Sequence, residues 1–458
     1  MKRNFLSLLF ILVSIASAFA DLPFRQHRFD QFKALPLADS TIVFFGNSIT
    51  NMHEWWEAFG SEQKVLNRGN SGAMTPELLE NIGTVIALHP SKLFIGIGTN
   101  DLGTASLAQP DSVAGRIARM VELVRTGSPA TEIYVQSILP SRVGIRTLDA
   151  IKATNARVKE LVEPLGATYI DLFDDLAAIP EKTVSYDGLH LTSKGYAIWL
   201  NKIAPIVGLT PIYTPEMVEN NGGIPNNSFG MRNTYFSAYP VHSSDVLIMG
   251  DEMIHGGEWH ELLANPSVKN RGTGWGYGGI SLQNWINSVE AILDTNGNKE
   301  APSKILLYVG TQPLYAKNAD MQAIIADYKA LIEKIRQYAP ASKTRIELLS
   351  LIPRTLAADN DSLTIPFNNL LSSLVSDDAN IGYIDIFTPL ALNDHSADST
   401  LVDSHNYLTG RGYGAVARTI APFVPGSKAR CPKCIEATYN AISAATPAAC
   451  IPTENECH

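Results

Sequence analysis

A chain of 458 residues, 45% hydrophobic and 18% charged, has the make-up of globular protein and the length of two or three domains. Its net charge of −9, with no basic run beyond the extreme N-terminus, argues against nucleic acid or an anionic membrane surface as partner, since both demand clustered Lys and Arg.

Lys2 and Arg3 precede an apolar run from Phe5 to Ile15, which gives way to small residues ending Ala18-Phe19-Ala20. That pattern predicts a signal peptide over residues 1–20, cut after Ala20, and so an exported chain: periplasmic, cell-surface or secreted. The competing reading, a membrane anchor, needs about 20 apolar residues, more than this run offers. No Cys follows the cut, which speaks against a lipid anchor, and no later run is apolar enough to span a bilayer.

Short apolar runs then alternate with longer amphipathic ones. Strands are expected at Thr41–Phe45, Lys64–Leu66, Lys92–Ile97, Glu132–Ser137 and Thr168–Leu172. Helices are expected at Pro76–Leu88, Asp111–Thr126, Thr147–Leu165 and Ser193–Ile203. Such alternation predicts βαβ units, a parallel sheet and right-handed crossovers.

The pattern then repeats. QFKALPLADSTIVFFGNSIT, from Gln31, lies over YFSAYPVHSSDVLIMGDEMI, from Tyr235. VLNRGNSG from Val65 matches VKNRGTGW from Val268, and KLFIGIGTNDL from Lys92 matches KILLYVGTQPL from Lys304. SILPSR and SLIPRT, YIDLF and YIDIF, LTSKGY and LTGRGY follow in the same order. Collinear blocks of this kind predict a duplication. The expected fold class is α/β: two tandem flavodoxin-like three-layer α/β/α domains with parallel sheets, plus a small Cys-rich C-terminal tail. The expected boundaries are 21–209 for the first domain, 210–228 for a Pro/Asn/Gly-rich linker, 229–426 for the second domain and 427–458 for the tail.

In open α/β sheets, ligands bind beyond the carboxyl ends of the strands. Four features of the first copy fall there. FFGNSIT ends a strand and starts a helix at Ser48; NRGNSG places Gly72 in a Gly-rich turn; GTND places the Asn100 amide after another strand; YDGLHLT holds Asp187 and His190 three apart in a turn. In such a turn the carboxylate can fix the imidazole tautomer that a serine nucleophile needs for its general base. Each feature alone has a plain structural explanation, as cap or turn residue.

Together, in this order, they resemble the SGNH (GDSL-type) hydrolase superfamily over about residues 30–205. NRGNSG and IGTNDLG look closest to its sialate O-acetylesterase and platelet-activating-factor acetylhydrolase-like branch. The resemblance implies Ser48 as nucleophile, His190 as base oriented by Asp187, and an oxyanion hole from the N–H groups of Ser48 and Gly72 with the Asn100 amide. It implies no metal and no organic cofactor. The family's common GDS reads Gly46-Asn47-Ser48 here, and Asn47 can still cap the turn. Trp55 and Trp56 are candidates for a substrate-facing wall, with helix-core packing as the alternative.

The second copy lacks these groups. Ser48 becomes Glu252, Asn100 becomes Gln312 and His190 becomes Tyr407, while the Gly72 position falls on Trp275. A degenerate, inactive domain is expected: either a packing partner for the first, or a binding cleft lined by residues such as Trp259, Trp275, Tyr277 and Gln312. The four cysteines, Cys431, Cys434, Cys450 and Cys457, suit two disulfides in an exported tail, or a zinc site opened by the CPKC pair.

The expectation is thus an exported serine esterase that takes short acyl groups, acetyl above all, from carbohydrate esters or other small esters. A lysophospholipase or thioesterase of the same superfamily is the nearest rival, and a non-catalytic carbohydrate-binding protein the rival of another class.

Overall fold

The computed structural model of the protein describes residues 25–218, 228–273, 281–294 and 300–447. The expected signal peptide, the centre of the linker, Trp275, Tyr277, Cys450 and Cys457 lie outside these residues. No helix among the described residues is long and apolar enough to cross a membrane.

Two five-stranded parallel sheets carry the chain. The first contains β1 (Ile42–Gly46), β2 (Val65–Gly69), β3 (Lys92–Gly96), β4 (Glu132–Gln136) and β5 (Thr168–Ile170), in the order β2-β1-β3-β4-β5. The second contains β6 (Val246–Gly250), β7 (Val268–Gly272), β8 (Lys304–Tyr308), β9 (Arg345–Leu349) and β10 (Ile381–Ile384), in the order β10-β9-β8-β6-β7. Each is the flavodoxin-like order with helices packed on it, so the tandem α/β/α expectation holds. The central strands are apolar throughout, as burial on both faces requires: Val43, Phe44 and Phe45 on β1, Leu247, Ile248 and Met249 on β6.

Seven helices position the clefts and join the two copies: α1 (residues 25–34), α2 (Ser48–Asn51), α3 (Ser193–Val207), α4 (Ser228–Phe236), α5 (Glu252–His255), α6 (Gly410–Ile420) and α7 (Pro432–Ala445). The helix expected over Pro76–Leu88 is two shorter ones, Thr75–Glu80 and Gly83–Ile86. The break is where the tail docks. A Cβ on Gly83 would stand 2.0 Å from Thr446 Oγ1 and 2.9 Å from the Ile442 carbonyl of α7.

Among the described residues, the tail packs on the body of the protein. Ile435 and Ile442 of α7 are buried, and the Tyr439 hydroxyl donates to Asp30 Oδ2 at 2.8 Å. Cys431 and Cys434 are disulfide-bonded at the first turn of α7, which settles the CPKC pair in favour of a disulfide.

The two domains meet across a pseudo-two-fold axis, and the repeat explains how. Trp56 and His260, equivalent positions of the two copies, stack on one another with ring centroids 4.0 Å apart. Around them four buried ion pairs cross. Arg68 grips Glu261 with two hydrogen bonds, 2.8 and 2.7 Å, and the equivalent Arg271 grips Glu57 at 2.8 and 2.6 Å. Arg232 of α4 donates to Glu54 at 2.7 Å, and its equivalent, Arg28 of α1, donates to Glu258. A residue contacting its partner's equivalent, twice over, is the signature of an isologous interface. Glu258, His260 and Glu261 are close enough to suggest a metal site, but both carboxylates are engaged by guanidinium groups. Each lead helix thereby packs on the other domain, α1 on the second and α4 on the first.

Candidate active site

Three glycines form the floor of the first cleft. Gly46 at the end of β1 is in register with Gly69 on β2 and Gly96 on β3. A Cβ on Gly46 would lie 2.3 Å from the Gly96 carbonyl, and one on Gly69 would lie 2.2 Å from the Asn51 nitrogen. Without side chains there, α2 can lie directly across the strand ends. Ser48, Gly72 and Asn100 follow closely after this row on three adjacent strands. Asn47 caps α2 as expected, its Oδ1 accepting from the Ile49 N–H at 3.0 Å.

His190 reaches Ser48 from a different part of the chain. An antiparallel bridge between Ser185 and Leu191 closes the loop after β5, and Gly188 takes φ +82° at its tip. That left-handed turn lets Asp187 Oδ1 accept from the N–H groups of Leu189 (2.9 Å) and His190 (2.7 Å). Asp187 Oδ2 is then 2.7 Å from His190 Nδ1, and His190 Nε2 is 2.9 Å from Ser48 Oγ. Burial works against the Asp187 charge, but the hydrogen bonds from His190 and the loop N–H groups hold its carboxyl down to about 2. An ionised carboxylate only accepts, so the network assigns hydrogen to Nδ1 and leaves the Nε2 lone pair facing the Ser48 hydroxyl.

The expected oxyanion groups sit on the neighbouring turns. Gly72 has φ +77°, and its carbonyl accepts from Arg25 at 2.7 Å. Asn100 Nδ2 donates to the Ala73 carbonyl at 3.0 Å, tying its turn to the Gly72 loop and leaving the second amide hydrogen for another acceptor. Asp101 reinforces the tie by accepting from Thr75 and Arg116.

Arg146 is a site residue that sequence reasoning missed. It donates to the Thr99 carbonyl at 2.8 Å and approaches Asn100 Oδ1 at 3.5 Å, bracing the Asn100 turn. Burial lowers its pKa, and the Asp187 charge partly offsets this. No motif marks it, because its partners arrive only through folding.

The proposed tryptophan wall is corrected. Trp55 is fully buried, stacked on Phe44 at 4.1 Å with its Nε1 bonded to the Thr50 carbonyl. Trp56 is spent on the domain interface. A Trp placed just after the nucleophile helix serves to hold that helix on the sheet.

The second cleft keeps the architecture and exchanges the groups. Glu252 opens α5 where Ser48 opens α2, and the Tyr407 hydroxyl donates to Glu252 Oε1 at 3.2 Å where His190 meets Ser48. Asp403 still accepts from backbone N–H groups, those of His405 and Tyr407, as Asp187 does in its own loop. His405 is exposed, with its Nδ1 3.3 Å from the Oγ of the neighbouring Ser404, and the position equivalent to Ser48 holds Glu252 in place of a hydroxyl. Glu252, Gln312 and Tyr407 line a cavity of about 370 Å³. Trp259 does not; it is buried behind α5, like Trp55.

Residues 44–198 match the GDSL-like Lipase/Acylhydrolase family. Over 169 residues the chain is 27% identical to platelet-activating factor acetylhydrolase IB subunit alpha2 of Homo sapiens, spanning 34% of this chain and 71% of that protein. Among solved structures it is similar to a GDSL-like lipase from Bacteroides thetaiotaomicron (25% identity, 39% of this chain and 98% of that one, TM-score 0.35). It is also similar to an acetylxylan esterase from Geobacillus stearothermophilus (17% identity, 38% and 98%, TM-score 0.32). The match to the GDSL-like acylhydrolases thus falls on the first α/β domain, where Ser48, His190 and Asp187 join at the strand ends, and it supports an ester hydrolase.

Proposed function

We propose that the protein is an exported esterase that removes short acyl groups, acetyl in the first place, from carbohydrate esters through an acyl-enzyme on Ser48. The hydrogen-bonded chain Ser48–His190–Asp187 carries this reading. His190 Nε2 takes the Ser48 proton as Oγ attacks the ester carbonyl, and passes it to the sugar oxygen as the C–O bond breaks, so that the sugar leaves as an alcohol. The Ser48 and Gly72 N–H groups and the Asn100 amide receive the negative charge that develops on the carbonyl oxygen. Water activated by His190 then releases the acid.

The short acyl group is favoured by the acetylesterase branch that NRGNSG and IGTNDLG resemble. The acetylhydrolase name of the human relative points the same way. The carbohydrate part rests on the N-terminal export pattern and on the branch that NRGNSG and IGTNDLG resemble. Hydrolysis of p-nitrophenyl acetate and longer p-nitrophenyl esters, followed by acetylated xylans, pectins and sialic acids, tests both parts. Acetyl preference and acetate release from a sugar are expected. Preference for long chains would favour the lysophospholipase or thioesterase reading instead.

A further inference from the structure

The second cleft is not filled in by the loss of its catalytic groups. Its cavity of about 370 Å³ is of the size that takes a small-molecule ligand, at the sheet edge where such ligands bind. A domain kept only for packing has no need of such a cavity.

Arg354 is the informative wall residue. Its guanidinium lies over the Tyr315 ring, 4.1 Å from the centroid, and forms no ion pair with any described carboxylate. A guanidinium on a cavity wall with no carboxylate beside it offers its outer N–H groups to a planar anion, the partner that their fork geometry fits. Arg354 follows β9, whereas Glu252 follows β6, and β8 lies between them. The two groups thus leave strands roughly 10 Å apart in the sheet. Glu252 accepts and Gln312 both donates and accepts, which suits hydroxyl groups.

We infer that the second cleft is a binding site for a sugar ring bearing a carboxylate, a uronic-acid type of residue, with the carboxylate on Arg354 and ring hydroxyls on Glu252 and Gln312. The decayed copy would then hold an acidic polysaccharide while the first copy works on its esters. Binding in the second cleft does not depend on what the first copy hydrolyses.

Calorimetric titration of the full chain with unacetylated oligogalacturonate, oligoglucuronate and neutral xylo-oligosaccharide tests it. At least one acidic ligand is expected to bind, at least tenfold tighter than the neutral one. Ser48→Ala should leave that affinity unchanged, so failure of the esterase reading and failure of this one are distinguishable. Arg354→Gln should weaken acidic-sugar binding at least tenfold and abolish the preference over xylo-oligosaccharide. Arg354→Lys, which keeps charge without the fork, should fall between the two and guards against misfolding of the glutamine variant. No binding of either uronate up to about 10 mM, equal binding of neutral and acidic ligands, or unchanged affinity in a folded Arg354→Gln variant would each overturn the inference.

Discussion

Thr234 Oγ1 accepts a 2.9 Å hydrogen bond from the backbone N–H of Ser193, three residues after His190. Thr234 lies on the lead helix of the second domain, and from the same helix Arg232 donates to the Met52 carbonyl, at the end of α2, at 2.9 Å. One helix of the second domain therefore holds both sides of the Ser48–His190 contact. The mirror relation exists too: Asp30 of α1 accepts from the Gly410 N–H at the start of α6 (2.7 Å).

Thr234→Val removes the acceptor and leaves the Ser193 N–H unpaired. The expected result is a kcat lower by about ten- to a hundredfold with KM little changed, because the loss is one of alignment between His190 and Ser48. Thr234→Ser should restore it. Steady-state kinetics on p-nitrophenyl acetate checks this; an unchanged kcat in Thr234→Val would mean that the clamp is only structural.

The crossed ion pairs should behave as buried pairs do. Glu54→Leu or Arg232→Met alone strands a buried charge or its donors and is expected to cost about 3–5 kcal/mol of stability. The double variant Glu54→Leu/Arg232→Met should recover most of that loss, as hydrophobic replacement of both partners often does. Chemical denaturation of the three variants measures the coupling.

Asp187→Asn is expected to lower kcat by roughly 10³–10⁴-fold, since an amide at that position stabilises the wrong imidazole tautomer. A pH signature accompanies it. The folded Asp187 carboxyl titrates at about 2, below its ordinary 3.8, so its contribution to stability is present above 3.8 and lost as pH falls towards 2. Acid unfolding of Asp187→Asn should lack this component.

Asp251 carries the opposite sign. Burial raises its carboxyl to about 6, against hydrogen bonds from Trp285, Thr311 and Gly310 that favour the charge. Its contribution to stability is therefore full below 3.8 and lost as pH rises through about 6. An NMR titration of the Asp251 carboxyl should find it protonated well above the ordinary aspartate range; a midpoint at or below 3.8 would contradict this.

Much of the first site was legible because each group sits beside its own strand end, so that GNS, NRGNSG, GTND and the Asp-Gly-Leu-His turn announce themselves locally. The repeat likewise exposed both sheets. What the sequence hid was contact across copies. Trp55 and Trp56 read as a substrate wall because an aromatic residue near a nucleophile looks the same whether it faces solvent or a neighbouring domain. Arg232, Thr234 and Arg146 carry no motif, since their partners are distant in the chain, and the break at Gly83 answers to a helix more than 300 residues downstream.

Whether Ser48 is an activated nucleophile is measured most directly by peptide mass spectrometry after reaction with a fluorophosphonate probe. A single adduct on Ser48 is expected, lost in Ser48→Ala together with all esterase activity and strongly slowed in His190→Ala. An unlabelled Ser48 in active protein, or full activity in Ser48→Ala, would contradict it.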